Sequence, residues 1–244
     1  MTIKIPNTTL VILFTIASTF CFGQSPTVKS VLTQSQTLLK DKSEMKCTMN
    51  YDLYSTSFSN EVKEHYSGNI VKNEDRYYIK INNTIFLNQL NTNTFLKLNT
   101  EQKLIQFLKG KNVATTNGSL FDQVSVLINL YKNQSLKSKG DYWICTLKAN
   151  TVSQLPYSKV ELFVNKETKL LTKQVLYFSS QMPYKKKDGT NHLGNPRLEI
   201  SISDYQFSLT DKDKGLTFLS NYVNTSSSEI RPSTAYKNFK IIQD

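Results

Sequence analysis

Apolar and polar residues follow one another along this chain in three rhythms. The first is a block. Lys4 precedes an apolar run over residues 10–22, broken only by Thr15, Ser18 and Thr19, and the chain turns polar from Ser25. A basic start, an apolar stretch of about a dozen residues and a small-residue exit predict a secretory signal peptide over 1–23, cleaved near Gly23. The run is shorter than the roughly 20 residues that a membrane span needs. Cys21 sits near the exit, but Phe20 before it is not the small residue that lipid attachment favours.

The second rhythm is helical. Val28, Val31, Leu32, Leu38 and Leu39 form a stripe that predicts a helix over 28–39. Leu120, Phe121, Val124, Leu127, Ile128 and Tyr131 repeat the pattern and predict a helix over 120–131, with Ser119 as its cap. The third rhythm has period two. It predicts strands over 45–53, 62–71, 76–81, 84–87, 94–98 and 103–107, then, after the second helix, over 141–148, 159–164, 170–178 and 198–207. Asn82-Asn83, Asn91-Thr92-Asn93 and Asn99-Thr100 mark turns between them. Gly68 inside a strand pattern signals a bulge or a close backbone approach. Residues 181–196 read as a polar loop and 208–235 as irregular, before a short apolar run over 236–242. The fold class is therefore mainly β with two helices (α+β), arranged as an antiparallel meander. It divides into a body over 24–207 and a C-terminal extension over 208–244.

This organisation resembles the LolA/LolB-type outer-membrane lipoprotein carriers over about residues 28–207. The likeness rests on the opening helix running into 45–53 and on Tyr66-Ser67-Gly68-Asn69-Ile70-Val71-Lys72 leading into Arg76-Tyr77-Tyr78-Ile79-Lys80. It rests also on the mid-chain helix and on Val160-Glu161-Leu162-Phe163-Val164 followed by Asn165-Lys166-Glu167-Thr168 and Leu170-Leu171. The resemblance implies a curled antiparallel sheet, an incomplete β-barrel covered by helices, whose apolar concave face binds a lipid or lipoprotein acyl chain in the periplasm. It implies no catalysis and no cofactor. Lys72 is the nearest match to the basic residue that ties the family's lid; the arginine–proline pair expected beside it is absent.

One parity of neighbouring strands would line such a cavity: Tyr77, Ile79 and Ile81, then Ile85 and Leu87, then Val160, Leu162 and Val164. The aromatic residues on the strands fit a cavity wall or a closed core equally well. The basic run Lys185, Lys186 and Lys187 is a second candidate for contact with anionic headgroups. An alternative use of the same fold is as a subunit of an outer-membrane or envelope protein complex, with 208–244 as its docking segment.

Composition narrows the classes. Net charge is +11, but arginine is scarce (Arg76, Arg197, Arg231), and no nucleic-acid-binding module is visible, so nucleic acid is not an expected partner. Removal of the signal leaves Cys47 and Cys145, which an oxidising compartment could bridge or leave as buried thiols. No cysteine–histidine cluster suggests a metal. His65 and His192 show neither metal spacing nor a nucleophile partner, and no Gly-x-Ser-x-Gly elbow occurs. Sequons at Asn82, Asn117, Asn133 and Asn224 are what so Asn-rich a chain contains by chance.

Overall fold

A computed structural model describes residues 25–110, 124–150, 154–186, 188–225 and 229–243. The signal peptide with Gly23, the first turn expected of the mid-chain helix, Asn117 and Lys187 lie outside these residues.

Helix α1 (Val28–Lys40) begins where Thr27 and Ser30 cap one another, the Thr27 hydroxyl accepting from the Ser30 amide. Val28, Val31, Leu32, Ser35 and Leu39 form its buried stripe. The chain then lays down β1 (Glu44–Tyr54), β2 (Val62–Asn73), β3 (Arg76–Ile81), β4 (Thr84–Gln89), β5 (Thr94–Asn99) and β6 (Leu104–Lys109) as a meander of adjacent strands. Helix α2 (Val124–Leu130) precedes β7 (Asn133–Lys139), β8 (Tyr142–Lys148), β9 (Tyr157–Asn165) and β10 (Leu171–Phe178). A hairpin of β11 (Met182–Lys185) and β12 (Asn191–Gly194) leads into β13 (Arg197–Gln206), followed by helix α3 (Asp211–Leu216), the short pair β14 (Val223–Asn224) and β15 (Arg231–Pro232), and β16 (Lys240–Gln243).

Twelve strands form one sheet in the order β16-β6-β5-β4-β3-β2-β1-β13-β10-β9-β8-β7. The sheet does not close, because β7 and β16 are its edges. It is mixed rather than purely antiparallel as the sequence suggests: β16 runs parallel to β6, with Ile241 opposite Ile105. Asn82 and Asn93 take left-handed backbone conformations in the Asn-rich turns, as that residue tolerates better than most.

Different parts of the chain pack on the two faces of the sheet. On the inner face α1 packs against α2 and against β7, β8 and β9. Its stripe joins Met45, Cys47, Met49, Ile70, Cys145, Leu147, Val160, Leu162, Val164, Ile200 and Ile202 in one core. On the outer face Tyr222, Val223 and the partly buried Leu216, Tyr236 and Phe239 of the C-terminal stretch pack on Val71, Tyr78, Ile85, Leu87, Leu96, Leu98, Ile105 and Phe107. Residues 208–243 thus supply half of a second core.

Three elements depart from the sequence reading. Strand β7 was not expected; its exposed, lysine-bearing sequence carries little apolar alternation, as befits a sheet edge. The 181–196 loop holds the β11–β12 hairpin, which turns at Asp188-Gly189, with Gly189 at φ +83°. The supposedly irregular tail contains α3, so the described residues hold three α-helices rather than two.

Gly68 marks a close approach rather than a bulge. A side-chain carbon there would fall onto the carbonyl oxygen of Lys80 on β3. The pairing of Gly68 with Ile81 brings β2 and β3 together on the inner face with no room for a side chain.

Candidate functional site

Cross-strand register decides what the inner face presents. Ile70 on β2 pairs with Ile79 on β3, and Ile79 pairs with Phe86 on β4. Tyr77 pairs with Asn88, and Asn88 with Phe95 on β5. Side chains of directly paired residues share a face, so Tyr77, Ile79, Ile81, Phe86, Asn88 and Phe95 project to the same side. Met49, Tyr51, Ile70, Tyr157, Leu176, Leu198 and Ile200 complete the wall of a cavity of about 350 Å³. That volume lies toward the lower end of the roughly 300–1,000 Å³ of small-molecule sites.

The wall is apolar apart from the Asn88 amide and the tyrosine hydroxyls, and no Asp, Glu, Lys, Arg or His lines it. Burial pushes the Tyr51 phenol up, helped by the nearby Cys47, and burial also raises Tyr157. The Tyr51 hydroxyl lies 3.4 Å from the Met49 sulfur. Tyr157 meets Phe178 edge to face, with ring centroids 5.2 Å apart.

The sequence-derived candidates separate into three groups. Tyr77, Ile79 and Ile81 line the cavity. Val160, Leu162 and Val164 share the inner face but are fully buried in the core that includes the stripe of α1, outside the cavity wall. Ile85 and Leu87 are on the wrong face: they lie in the outer core with Tyr222 and Val223. Phe86, between them, is the β4 residue that reaches the cavity. Its pairing opposite Ile79 was the missing information.

Lys72 is buried at the end of β2. Its Nζ donates to the carbonyl oxygens of Leu39 at 3.1 Å, Lys40 at 3.0 Å and Lys42 at 2.6 Å. The last carbonyls of a helix lack intrahelical partners and form its negative end, so the ammonium ties the C-terminal end of α1 to the sheet. Lys185 and Lys186 do not join it. They sit on the exposed β11–β12 hairpin, which adjoins the far end of β1 from Lys72.

Cys47 and Cys145 are free rather than bridged. Both are buried in the inner core, and burial pushes each thiol up to about 12, where it is protonated and inert.

His65 has partners that sequence spacing did not reveal. Its Nδ1 lies 2.6 Å from Asp52 Oδ1, and its Nε2 lies 3.3 Å from Ser67 Oγ. The order aspartate–histidine–serine matches a hydrolytic triad, but the setting does not. The three residues lie on the outer face of a central strand pair, and the Ser67 hydroxyl donates to Asn50 Oδ1 at 2.9 Å. Their backbones belong to sheet ladders, and neither the cavity nor the clefts at the strand ends include them. His192 contacts Thr190 on the exposed hairpin. No group of three metal-ligating side chains occurs among the described residues.

No family model and no curated protein matches the chain. Solved structures to which it is similar include a LolA superfamily protein from Nitrosomonas europaea, at 13% identity and a TM-score of 0.34, covering 77% of this chain and 97% of that one. Another is a domain described as outer membrane lipoprotein-sorting from Vibrio parahaemolyticus, at 14% identity and 0.34, covering 79% and 98%. A third is a DUF1329 family protein from Desulfovibrio piger, at 15% and 0.34, covering 77% and 96%. Likeness at this level carries no function across.

Proposed function

We propose that this chain is an exported, non-catalytic carrier that holds a lipid or lipoprotein acyl chain in the inner-face cavity, in the bacterial periplasm. The observation that carries the reading is the wall built from Tyr77, Ile79, Ile81, Phe86 and Phe95: contiguous and apolar across three strands, on the face of the sheet on which α1 also packs. An aliphatic chain needs a dry concave surface and few polar anchors, and Asn88 supplies a polar group within that wall. In this reading α1 is the lid of an incomplete barrel and Lys72 is its catch. Opening would release three carbonyl contacts at one end of the helix and lift its stripe from the inner core.

The assembly-subunit alternative gives 208–244 a docking role. That role fits poorly with a stretch most of whose described apolar side chains already pack on the sheet.

A dansylated fatty acid tests the carrier reading. Saturable fluorescence gain, lost in Ile79→Trp because the larger ring fills the cavity, is the expected result. Equal binding by parent and variant contradicts it.

A further inference from the structure

Strand register gives the inner-face cavity a length. Tyr77 pairs with Lys72, and Lys72 with Met45 on β1, so the three residues form one row across the sheet. Tyr51, on the cavity wall, lies six residues further along β1. At about 3.3 Å per residue the wall extends about 20 Å along the strands. Leu198, opposite Leu53, and Tyr157 carry it further in the same direction. A volume of about 350 Å³ drawn out over that length leaves a cross-section of about 18 Å² or less. Packed carbon atoms sit about 3.5–4 Å apart, so one hydrocarbon chain fits this section and two abreast do not. The cavity is a slot rather than a bowl.

The two ends of the slot differ. Tyr77, Asn88 and Phe95, paired side by side on β3, β4 and β5, are all buried. Lys72, in the same row, is buried too and is tied to the C-terminal end of α1. This end is closed. At the other end Tyr51, Leu198 and Tyr157 are only partly buried, so the slot meets water there. No charged side chain lines the wall to receive a charged head group, which therefore stays outside. A closed end and a one-chain section together make a gauge of chain length. With bonds of ~1.52 Å meeting at ~111°, an extended chain advances about 1.25 Å per carbon. About sixteen carbons then fill about 20 Å.

We propose, as a narrowing of the carrier reading on which it rests, that the slot takes a single-chain lipid. Its one acyl chain, of up to about sixteen carbons, lies between the Tyr77 row and Tyr51, and its head group stands in water at the Tyr51 end. A lipid with two or three chains has room for only one of them. The others stay in water and add nothing to the burial that drives binding, so such a lipid is held no better than its single-chain counterpart.

The test is displacement of dansylated fatty acid from the protein purified from its envelope fraction. The competitors are lysophosphatidylcholines from octanoyl to behenoyl, delivered from cyclodextrin. Affinity should rise by about two- to fourfold per carbon and level off at about sixteen carbons. Dioctanoyl phosphatidylcholine should compete at most about twofold better than octanoyl lysophosphatidylcholine, the statistical gain of two equivalent chains. Phe95→Ala lengthens the closed end and should move the levelling point up by about three carbons, with near-ultraviolet circular dichroism like the parent's. Affinity that climbs without a break to behenoyl overturns the proposal and leaves the carrier reading standing. A second chain that tightens binding by about tenfold or more does the same, as does an unmoved levelling point in folded Phe95→Ala. A parent that takes up no dansyl probe removes the carrier reading, and the single-chain proposal with it.

Discussion

Lys72 and Asn73 are sequence neighbours on β2 that hold opposite sides of the sheet. The Lys72 ammonium anchors the end of α1 on the inner face, while the Asn73 side-chain amide donates to the Thr217 hydroxyl, just past α3, at 3.3 Å on the outer face. The start of β1 strengthens the outer hold. Lys46 pairs with Asp213 at 2.8 Å, and Glu44 pairs with Lys214 at 2.7 Å and accepts from the Leu209 amide. One end of the β1–β2 ladder thus secures both the helix of the inner face and the helix of the outer face.

Replacing Lys72 with methionine keeps the aliphatic stem and removes the donors. The expected cost is about 1.5–3 kcal/mol, the value of hydrogen bonds from a charged group. Hydrogen exchange should quicken selectively in α1, and dansyl fatty acid should enter faster. Urea melts and exchange mass spectrometry check this; unchanged α1 protection would show that the helix is held by its stripe alone.

The outer hold gives a pH signature. The hydrogen bond from Lys46 is the main cause that keeps the Asp213 carboxyl below its ordinary value; Thr210 adds to it, and burial opposes both. A folded-state value below the unfolded one means stability that is full above the ordinary aspartate value of about 3.9 and is lost as pH falls through the lowered value. Glu44 is shifted in the same direction, first by Lys214. Asp213→Asn should therefore be less stable than the parent near neutrality and lose less on acidification, keeping the part due to Glu44. Thr210→Ala, which removes the cap of α3, should cost about 1 kcal/mol near neutrality and less in acid, because the hydroxyl also helps to keep Asp213 ionised. Urea melts at stepped pH read both effects. Parallel pH profiles for parent and Asp213→Asn would contradict this assignment.

The corrected parity of β4 separates stability from binding. Leu87→Ala opens the outer core and should cost about 2–5 kcal/mol while leaving fatty-acid affinity unchanged. Phe86→Ala enlarges the cavity and should change affinity. The reverse pattern would restore the parity read from sequence.

That parity was not legible for a physical reason. Strand β4 reads Thr-Ile-Phe-Leu-Asn-Gln, and both of its faces are covered, one by the cavity wall and one by Tyr222 and Val223. A strand apolar on both sides has no period-two signal. Strand β1 has a wet face along part of its length, so its alternation was plain. The stripe of α1 was legible for the same reason. Two missed elements did leave signals: Asp188-Gly189 is hairpin turn chemistry, and Thr210 with Asp213 forms a capping box. The partner of Lys72 could not be read, since its three carbonyls lie some thirty residues away in sequence.

Cys47 and Cys145 should resist alkylation in the native protein and both react in urea without reductant. This follows from burial that pushes each thiol up to about 12. Intact mass after alkylation in denaturant reads it directly. A pair that stays unlabelled until reduced would mean that export bridges them.

The central claim is that the inner cavity carries an acyl chain. Native mass spectrometry of the protein purified from its own envelope fraction, followed by organic extraction, tests it most directly. A stoichiometric lipid or acylated peptide on the parent, absent from folded Ile79→Trp, is the predicted result. A parent that flies without lipid and yields none on extraction, while remaining folded, would contradict the account.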